Sequence, residues 1–264
     1  MKILPLELKD LEEIKRLQPE DWYDITPFVE YYTKAPFSNV VKVVEGGKIA
    51  GTGTVIYHYD TVWLALIIVH PEFRNRGLGR HITEYLIKSL DGSRYKTIYL
   101  VATPMGEPIY TKLGFEIENE QLFFKGDIIN NSIIENIYPY EEKYKSSLLE
   151  LDCITYGENR EARLAEHLPA GQLYIRNNTL EGFYLPDLGE GLIVAANSTA
   201  GTELMKERLK TKPFAVTTVE NKPAVEFLLN NNFTNFRNAR RMRLGEARSW
   251  KPDNIYNRVN GQLG

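Results

Sequence analysis

A chain of 264 residues, 43% of them hydrophobic and 25% charged, has the composition of a soluble globular protein and the length for two domains of roughly 100–150 residues each. Its net charge of -3 gives no overall basic footprint for nucleic acid, and no apolar run reaches the roughly 18 residues that cross a bilayer. The single cysteine, Cys153, excludes an internal disulfide and fits a reducing compartment; with charges where a signal peptide needs its apolar core, the chain is expected to be cytoplasmic.

Residues 5–17 place Leu8, Leu11, Ile14 and Leu17 at a spacing of threes, which predicts a helix. After a polar break holding Trp22 and Tyr23, Thr26-Pro27 reads as a helix start with Thr26 as its cap. Phe28, Tyr31 and Tyr32 fall on or near one face of that helix. Core packing is one reading of them, the lid of an acceptor pocket the other. Strands follow at 40–44, 48–59 and 62–69, joined by the turn signals Gly46-Gly47 and Asp60-Thr61 into an antiparallel meander. Residues 78–90 are amphipathic, 97–102 form a short buried strand, and a helix from about Glu107 ends at Gly114, where a C-cap asks for left-handed backbone. A strand over 116–125 ends the first half. The polar residues 130–132 mark the boundary, which sets the domains at 1–128 and 133–264.

In the second half, 141–151 and 161–167 read as helices and 172–175, 182–185 and 192–195 as strands. A helix over 201–209, a strand over 214–219, a helix over 223–230 and a last strand over 240–244 complete it. The arginine-rich run 237–248 reads as a charged strand edge or helix end rather than a nucleic-acid site. The polar tail from Ser249 is expected on the surface.

Residues 63–90 carry the chemistry. An apolar strand ends in Val69-His70-Pro71, a basic loop carries Gly77 and Gly79, and a helix opens. Loop amides and a helix N-terminus together favour a phosphate group. A dinucleotide loop is a poor match, because Ile82 stands where the third glycine belongs and the preceding strands are a meander. A Walker loop is excluded, since no Gly-Lys-Ser/Thr follows.

Val69, Pro71, Arg74, Gly77 and Gly79 match a V-x-P-x-x-[RQ]-x-x-G-x-[GA] motif opening a helix. In this, and in the order of elements through Lys125, the first half resembles the GNAT superfamily of acyl-CoA-dependent N-acyltransferases. The resemblance implies an α/β (α+β) fold of two tandem GNAT-like domains, each a mixed, mainly antiparallel sheet flanked by helices. It implies that the amides of Arg74, Asn75, Arg76, Gly77, Leu78, Gly79 and Arg80 cradle the CoA pyrophosphate, with the two glycines allowing close approach. Ile67, Ile68 and Val69 would pair with pantetheine, and an amide near Val69 would polarise the thioester carbonyl. His81 is left between touching a phosphate and packing on Tyr85. A second signature, N-x-x-A-x-x-x-Y-x-x-x-G-F, is matched at Tyr110, Gly114 and Phe115, with Thr103 and Gly106 replacing its Asn and Ala. Tyr110 would then be the general acid for the CoA sulfur, and Thr103 a weakened pantetheine contact. No base is legible; His58, Asp60 and Asp24 are the carboxylate and imidazole candidates.

The second half repeats this signature as Asn221, Ala224, Leu228, Asn232 and Phe233, with leucine in place of the tyrosine and no phosphate-loop motif before it. It reads as a degenerate copy forming a wall of the acceptor cleft. The whole resembles tandem GNAT proteins of the YitH group, whose G-x-x-R is matched at Gly157 and Arg160. Arg160 and Arg163 are candidates for an acidic acceptor group, or else a solvated helix face. The expected activity is transfer of an acetyl group from acetyl-CoA, without a metal, to an amine of a small molecule or peptide. No nucleic-acid or membrane partner is expected. An aminoacyl or other acyl transferase and a non-catalytic CoA-sensing module stay open beside it.

Overall fold

The computed structural model describes residues 1–18, 24–129 and 134–263. Trp22, Tyr23 and the polar boundary at 130–132 lie outside the described residues. The chain folds as two compact units, the first comprising Met1–Glu116 with Met242–Glu246, the second Ile117–Arg241 with Ala247–Gln262.

The first unit runs β1 (Lys2–Pro5), α1 (Leu11–Ile14), α2 (Thr26–Lys34), β2 (Ser38–Glu45), β3 (Lys48–Tyr57), β4 (Thr61–Val69), α3 (Leu78–Lys88), β5 (Thr97–Ala102) and α4 (Glu107–Lys112). Its sheet has the order β1-β2-β3-β4-β5, antiparallel except for the β4–β5 pair. Residues 242–246 lie beside β5, where Glu246 N–H donates to Lys96 O at 2.9 Å. The meander forms as the sequence predicts: Gly46 and Gly47 take the positive φ (59° and 80°) that a tight hairpin requires. The apolar stripe of α3, Leu78, Ile82 and Leu86, is buried against β3 and β4 with Val55, Val62, Leu64 and Leu100.

Residues 5–17 are not one helix. Lys2–Pro5 pairs with β2, and only a 3-10 turn at Leu8–Asp10 and the short α1 follow. Asp10 fixes that turn: its carboxylate accepts from Glu7 N–H at 2.7 Å and pairs with buried Lys42 at 2.5 Å. Thr26 is not a cap; Asp24 Oδ1 instead accepts the Thr26 N–H at 2.9 Å. The α2 aromatics divide: Tyr32 is buried, whereas Phe28 and Tyr31 are exposed.

The second unit repeats the plan. It contains β6 (Glu116–Lys125), β7 (Ile137–Pro139), α5 (Lys145–Tyr156), α6 (Glu161–Leu164), β8 (Gln172–Arg176), β9 (Thr179–Leu185) and β10 (Leu192–Ala195). There follow α7 (Ser198–Leu209), β11 (Phe214–Thr218), α8 (Lys222–Asn230), β12 (Thr234–Gly245) and β13 (Ile255–Asn257). One sheet has the order β13-β10-β9-β8-β7, and β6 lies between β12 and β11. By packing, β6 belongs to this unit, because its ladder is with β11 (Phe214 opposite Lys125 to Thr218 opposite Gln121). The arginine run is a paired strand: Arg240 meets Glu120 at 2.8 Å and Arg241 meets Glu118 at 3.2 Å.

Two further expectations are corrected. The tail from Ser249 is not superficial, for residues 255–259 are at most 4% exposed and include a strand. Arg160 is neither solvated nor open to an acceptor. It is 3% exposed, binds both carboxylate oxygens of Asp152 (3.0 and 2.6 Å) and lies 3.3 Å over the Tyr156 ring. Arg160→Ala would leave the Asp152 carboxyl in the interior without its partner. A loss of about 3–5 kcal/mol of unfolding free energy is expected in a urea titration.

Candidate active site

Between Thr52 and Thr54 the β3–β4 register slips: Thr52 lies opposite Ile68 and Thr54 opposite Ala65. Leu66 and Ile67 therefore face a single residue, Gly53, and Leu66 takes a left-handed φ of 50°. This is a β-bulge, and its conformation is costly for a leucine. Pairing of β4 with β5 runs only from Thr61 opposite Thr97 to Trp63 opposite Tyr99, just before the bulge. Beyond Trp63 the two parallel strands part.

The edge of β4 past the bulge is turned into that gap. His70 N–H donates to Ala50 O at 2.9 Å, so by alternation the amide and carbonyl of Val69 face away from β3. Ile68, opposite Thr52 and buried, bonds toward β3 instead. Arg74 Nε donates to Val69 O at 3.1 Å, tying the loop to the strand end.

The loop is shaped at three points. His70 Nδ1 accepts the Glu72 N–H at 3.2 Å, starting a 3-10 turn over Pro71–Phe73. Asn75 (φ 61°) and Gly77 (φ 80°) are left-handed and curl the chain so that successive amides face inward. The first bond of α3 is His81 N–H to Gly77 O at 3.0 Å, so the amides of Leu78, Gly79 and Arg80 point out of the helix end. Arg76 lies 5.4 Å over the Phe73 ring, Arg80 pairs with Glu84 at 2.8 Å, and both are exposed, as is His81. The two loop glycines have different reasons. Gly77 supplies φ, whereas a Cβ on Gly79 would sit 3.4 Å from Ile109 and 3.8 Å from Val69. Gly79 therefore sets how closely the helix start lies on α4 and β4, not the clearance in front of the loop.

Tyr110 is 9% exposed and lies edge-on to Phe115 with ring centroids 5.9 Å apart. Its ring rests on Gly106, where a Cβ would be 2.8 Å away, so alanine has no room at that position. Burial pushes its hydroxyl up to about 12, keeping the proton on it at neutral pH. Thr103 Oγ1 accepts the Gly106 N–H at 3.3 Å and starts α4. His58 and Asp60 sit at the β3–β4 turn, separated from Val69 by the whole of β4, roughly 25 Å at a strand's rise. Asp24 is exposed before α2, its carboxyl lowered by the bonds from Thr26. The structure does not bring these three to the gap.

Sequence reasoning passed over Leu66 and the glycine pair Gly51 and Gly53. A Cβ on Gly53 would meet Ile82 at 2.6 Å and Leu86 at 3.0 Å, so these glycines let α3 lie close on the sheet beside the bulge. Alternate glycines within a strand were the available signal; leucine at a bulge gives none.

Residues 8–115 match the acetyltransferase (GNAT) family model. An uncharacterized N-acetyltransferase, ycf52 of Porphyra purpurea, is 40% identical over 55 residues, a stretch that is 21% of this chain and 30% of that protein. A candidate acetyltransferase from Pyrococcus horikoshii superposes over 100% of this chain and 95% of its own, with a TM-score of 0.83 at 18% identity. A tandem GNAT protein from the clavulanic acid biosynthesis pathway covers 92% of this chain and 98% of its own, with a TM-score of 0.59 at 12% identity. These likenesses establish the fold. Among the described residues no cluster of His, Cys, Asp or Glu could hold a metal ion, and no helix is long and apolar enough to cross a membrane.

Burial also pushes Tyr156 up to about 12. Unfolded tyrosines ionise near pH 10, so between about pH 10 and 12 the unfolded chain releases protons that the native chain keeps. The stability contribution of Tyr110 and Tyr156 should therefore be full below pH 10 and lost across that window. Denaturant titrations against pH will show the fall, and Tyr110→Phe should make it shallower.

Proposed function

We propose, on the premise that residues 8–115 are an acetyltransferase (GNAT) family domain within a fold of tandem GNAT type, that this chain transfers an acetyl group from acetyl-CoA to an amine. The observation that carries the reading is the gap between β4 and β5, which begins at the Leu66 bulge and opens beside the α3 N-terminus. A long, thin ligand with an anionic end fits such a slot. The outward amides of Leu78, Gly79 and Arg80 bind the pyrophosphate, helped by the positive end of α3. The gap-facing edge of Val69 pairs with the amide-bearing pantetheine arm. An N–H at this edge holds the developing oxyanion, a contact of the kind that lowers a barrier by a few kcal/mol.

Acetyl-CoA supplies an acyl carbon activated by a thiolate leaving group. The amine forms the new C–N bond as the C–S bond breaks, and Tyr110 gives its proton to the departing sulfur. Solvent takes the surplus proton of the amine and restores that of Tyr110. The buried hydroxyl suits this role because it is protonated throughout the neutral range. The first unit is the catalytic domain, and the acceptor is a small-molecule or peptide amine.

Tyr110→Phe should lower turnover by about 100-fold or more, the scale of general acid catalysis, and leave CoA affinity nearly unchanged. Unchanged turnover, followed as thiol release across a panel of amines, would remove Tyr110 from the mechanism. Gly79→Asp should abolish CoA binding, because it crowds Ile109 and Val69 and adds a like charge at the phosphate end of α3. Retained binding in calorimetry would refute the site.

A further inference from the structure

The two units share one order of elements, three antiparallel strands, a helix, a strand and a short helix, so β10 and β11 stand where β4 and β5 stand. In the second unit the space between them is filled by the chain itself. β10 has β9 on one side and β13 on the other. β13 runs antiparallel to β10, with Asn257 opposite Ile193 and Ile255 opposite Val194, and Tyr256 bulged between them. Its other edge is bonded to β11. Arg258 N–H donates to Val216 O at 3.0 Å, Val216 N–H donates to Asn257 Oδ1 at 2.9 Å, and Thr217 Oγ1 donates to Ile255 O at 2.6 Å.

The seat is shaped for this segment. The Tyr256 ring lies on Gly201 in the first turn of α7, where a Cβ would come within 2.2 Å of it. Gly189, left-handed at φ 60°, has Val259 O where a side chain would go, and Glu190 N–H donates to that oxygen at 2.6 Å. Asn221 caps α8 by accepting from Ala224 N–H and gives its own amide proton to Ile255 O at 3.1 Å. The group it recognises is a main-chain amide carbonyl, the same chemistry that a pantetheine arm offers. At the mouth, Asn197 Oδ1 takes the Ala200 N–H at 3.0 Å and Glu181 bonds Asn197 at 2.9 Å. A side-chain cap and a carboxylate thus stand at the helix end, where the first unit presents open amides.

We infer that residues 255–259 are an internal ligand, a peptide segment of this chain that occupies the second unit's cofactor gap and closes it to CoA. The chain then binds one CoA. That the open gap of the first unit is a CoA site rests on the function proposed above; occupancy of the second gap by the tail does not.

Hydrogen exchange on the full chain, alone and with CoA, tests this. Without CoA, amides at 255–258 should exchange at least about 100-fold more slowly than an unstructured tail. With CoA, exchange should slow at 66–80 and stay unchanged at 192–201. Gly201→Val, which crowds the Tyr256 ring, should speed exchange at 255–258 by about tenfold or more and leave CoA protection at 66–80 in place. If that variant does not fold, Asn257→Ala, which removes the bond to Val216, serves the same readout. Fast exchange at 255–258 in the native chain, no change there in the variants, or CoA-dependent slowing at 192–201 overturns the inference. No CoA effect at 66–80 would instead count against the acetyltransferase reading, and the tail result would stand apart from it.

Discussion

Two parallel strands that begin as partners and then separate leave unbonded edges inside a protein, and something must hold them apart. In the first unit the wedge is backbone. An extra residue in β4 forces Leu66 into the left-handed region, which few side chains accept without cost. The surrounding packing over-determines it. α3 lies close on the sheet because Gly51 and Gly53 have no side chains, and the Ile82 and Leu86 of that helix press on the bulged stretch. The helix is in turn aimed by Gly77, and its first turn lies against Ile109 of the element that carries Tyr110. Bulge, helix end and tyrosine form one chain of contacts. The slot, the helix end and the tyrosine are therefore fixed relative to each other within the first unit.

Much of this was legible in the residues, and the reasons are local. The strand at 97–102, the helix from Glu107 and the strand at 116–125 are bounded by glycines and prolines, and the left-handed φ of 92° at Gly114 is where the C-cap signal placed it. The Val-x-Pro-x-x-Arg-x-x-Gly-x-Gly spacing sufficed to find the helix end and its open amides. What was not legible depends on partners far away in sequence. Leu8, Leu11, Ile14 and Leu17 fall at the threes of a helix, yet only a 3-10 turn and the short α1 form there, because Asp10 turns the chain by bonding Glu7 N–H and the distant Lys42. Arg160 shows only a charge in sequence, while its burial depends on Asp152, Tyr156 and the packing around them. The tail looks like a solvated end because its residues are polar, yet Asn257 and Arg258 are buried with their polar groups bonded, and composition cannot reveal that.

The repeat makes the contrast between the units informative. Leu228 replaces Tyr110 and is fully buried, while Phe233 N–H still bonds Leu228 O at 2.9 Å just as Phe115 N–H bonds Tyr110 O at 3.0 Å. The backbone geometry is the same with and without the hydroxyl. Asn221 keeps the capping bond that Thr103 makes more weakly in the first unit, and uses its spare amide on the tail. The same architecture is thus stabilised in two ways, with a strained bulge beside an open gap in one unit and with a third strand in the other.

The division of the units carries a consequence for how the protein is made. Residues 117–125 are laid down early but complete the second unit through β11, whereas residues 242–246 come late and finish the first beside β5. A ribosome that has delivered the whole of the first half has not delivered a finished first unit. During synthesis β6 waits for its partner through nearly a hundred further residues, and β5 waits longer still. Each unit therefore draws on a segment written within the other half of the chain, and the order of synthesis is not the order in which the units are completed.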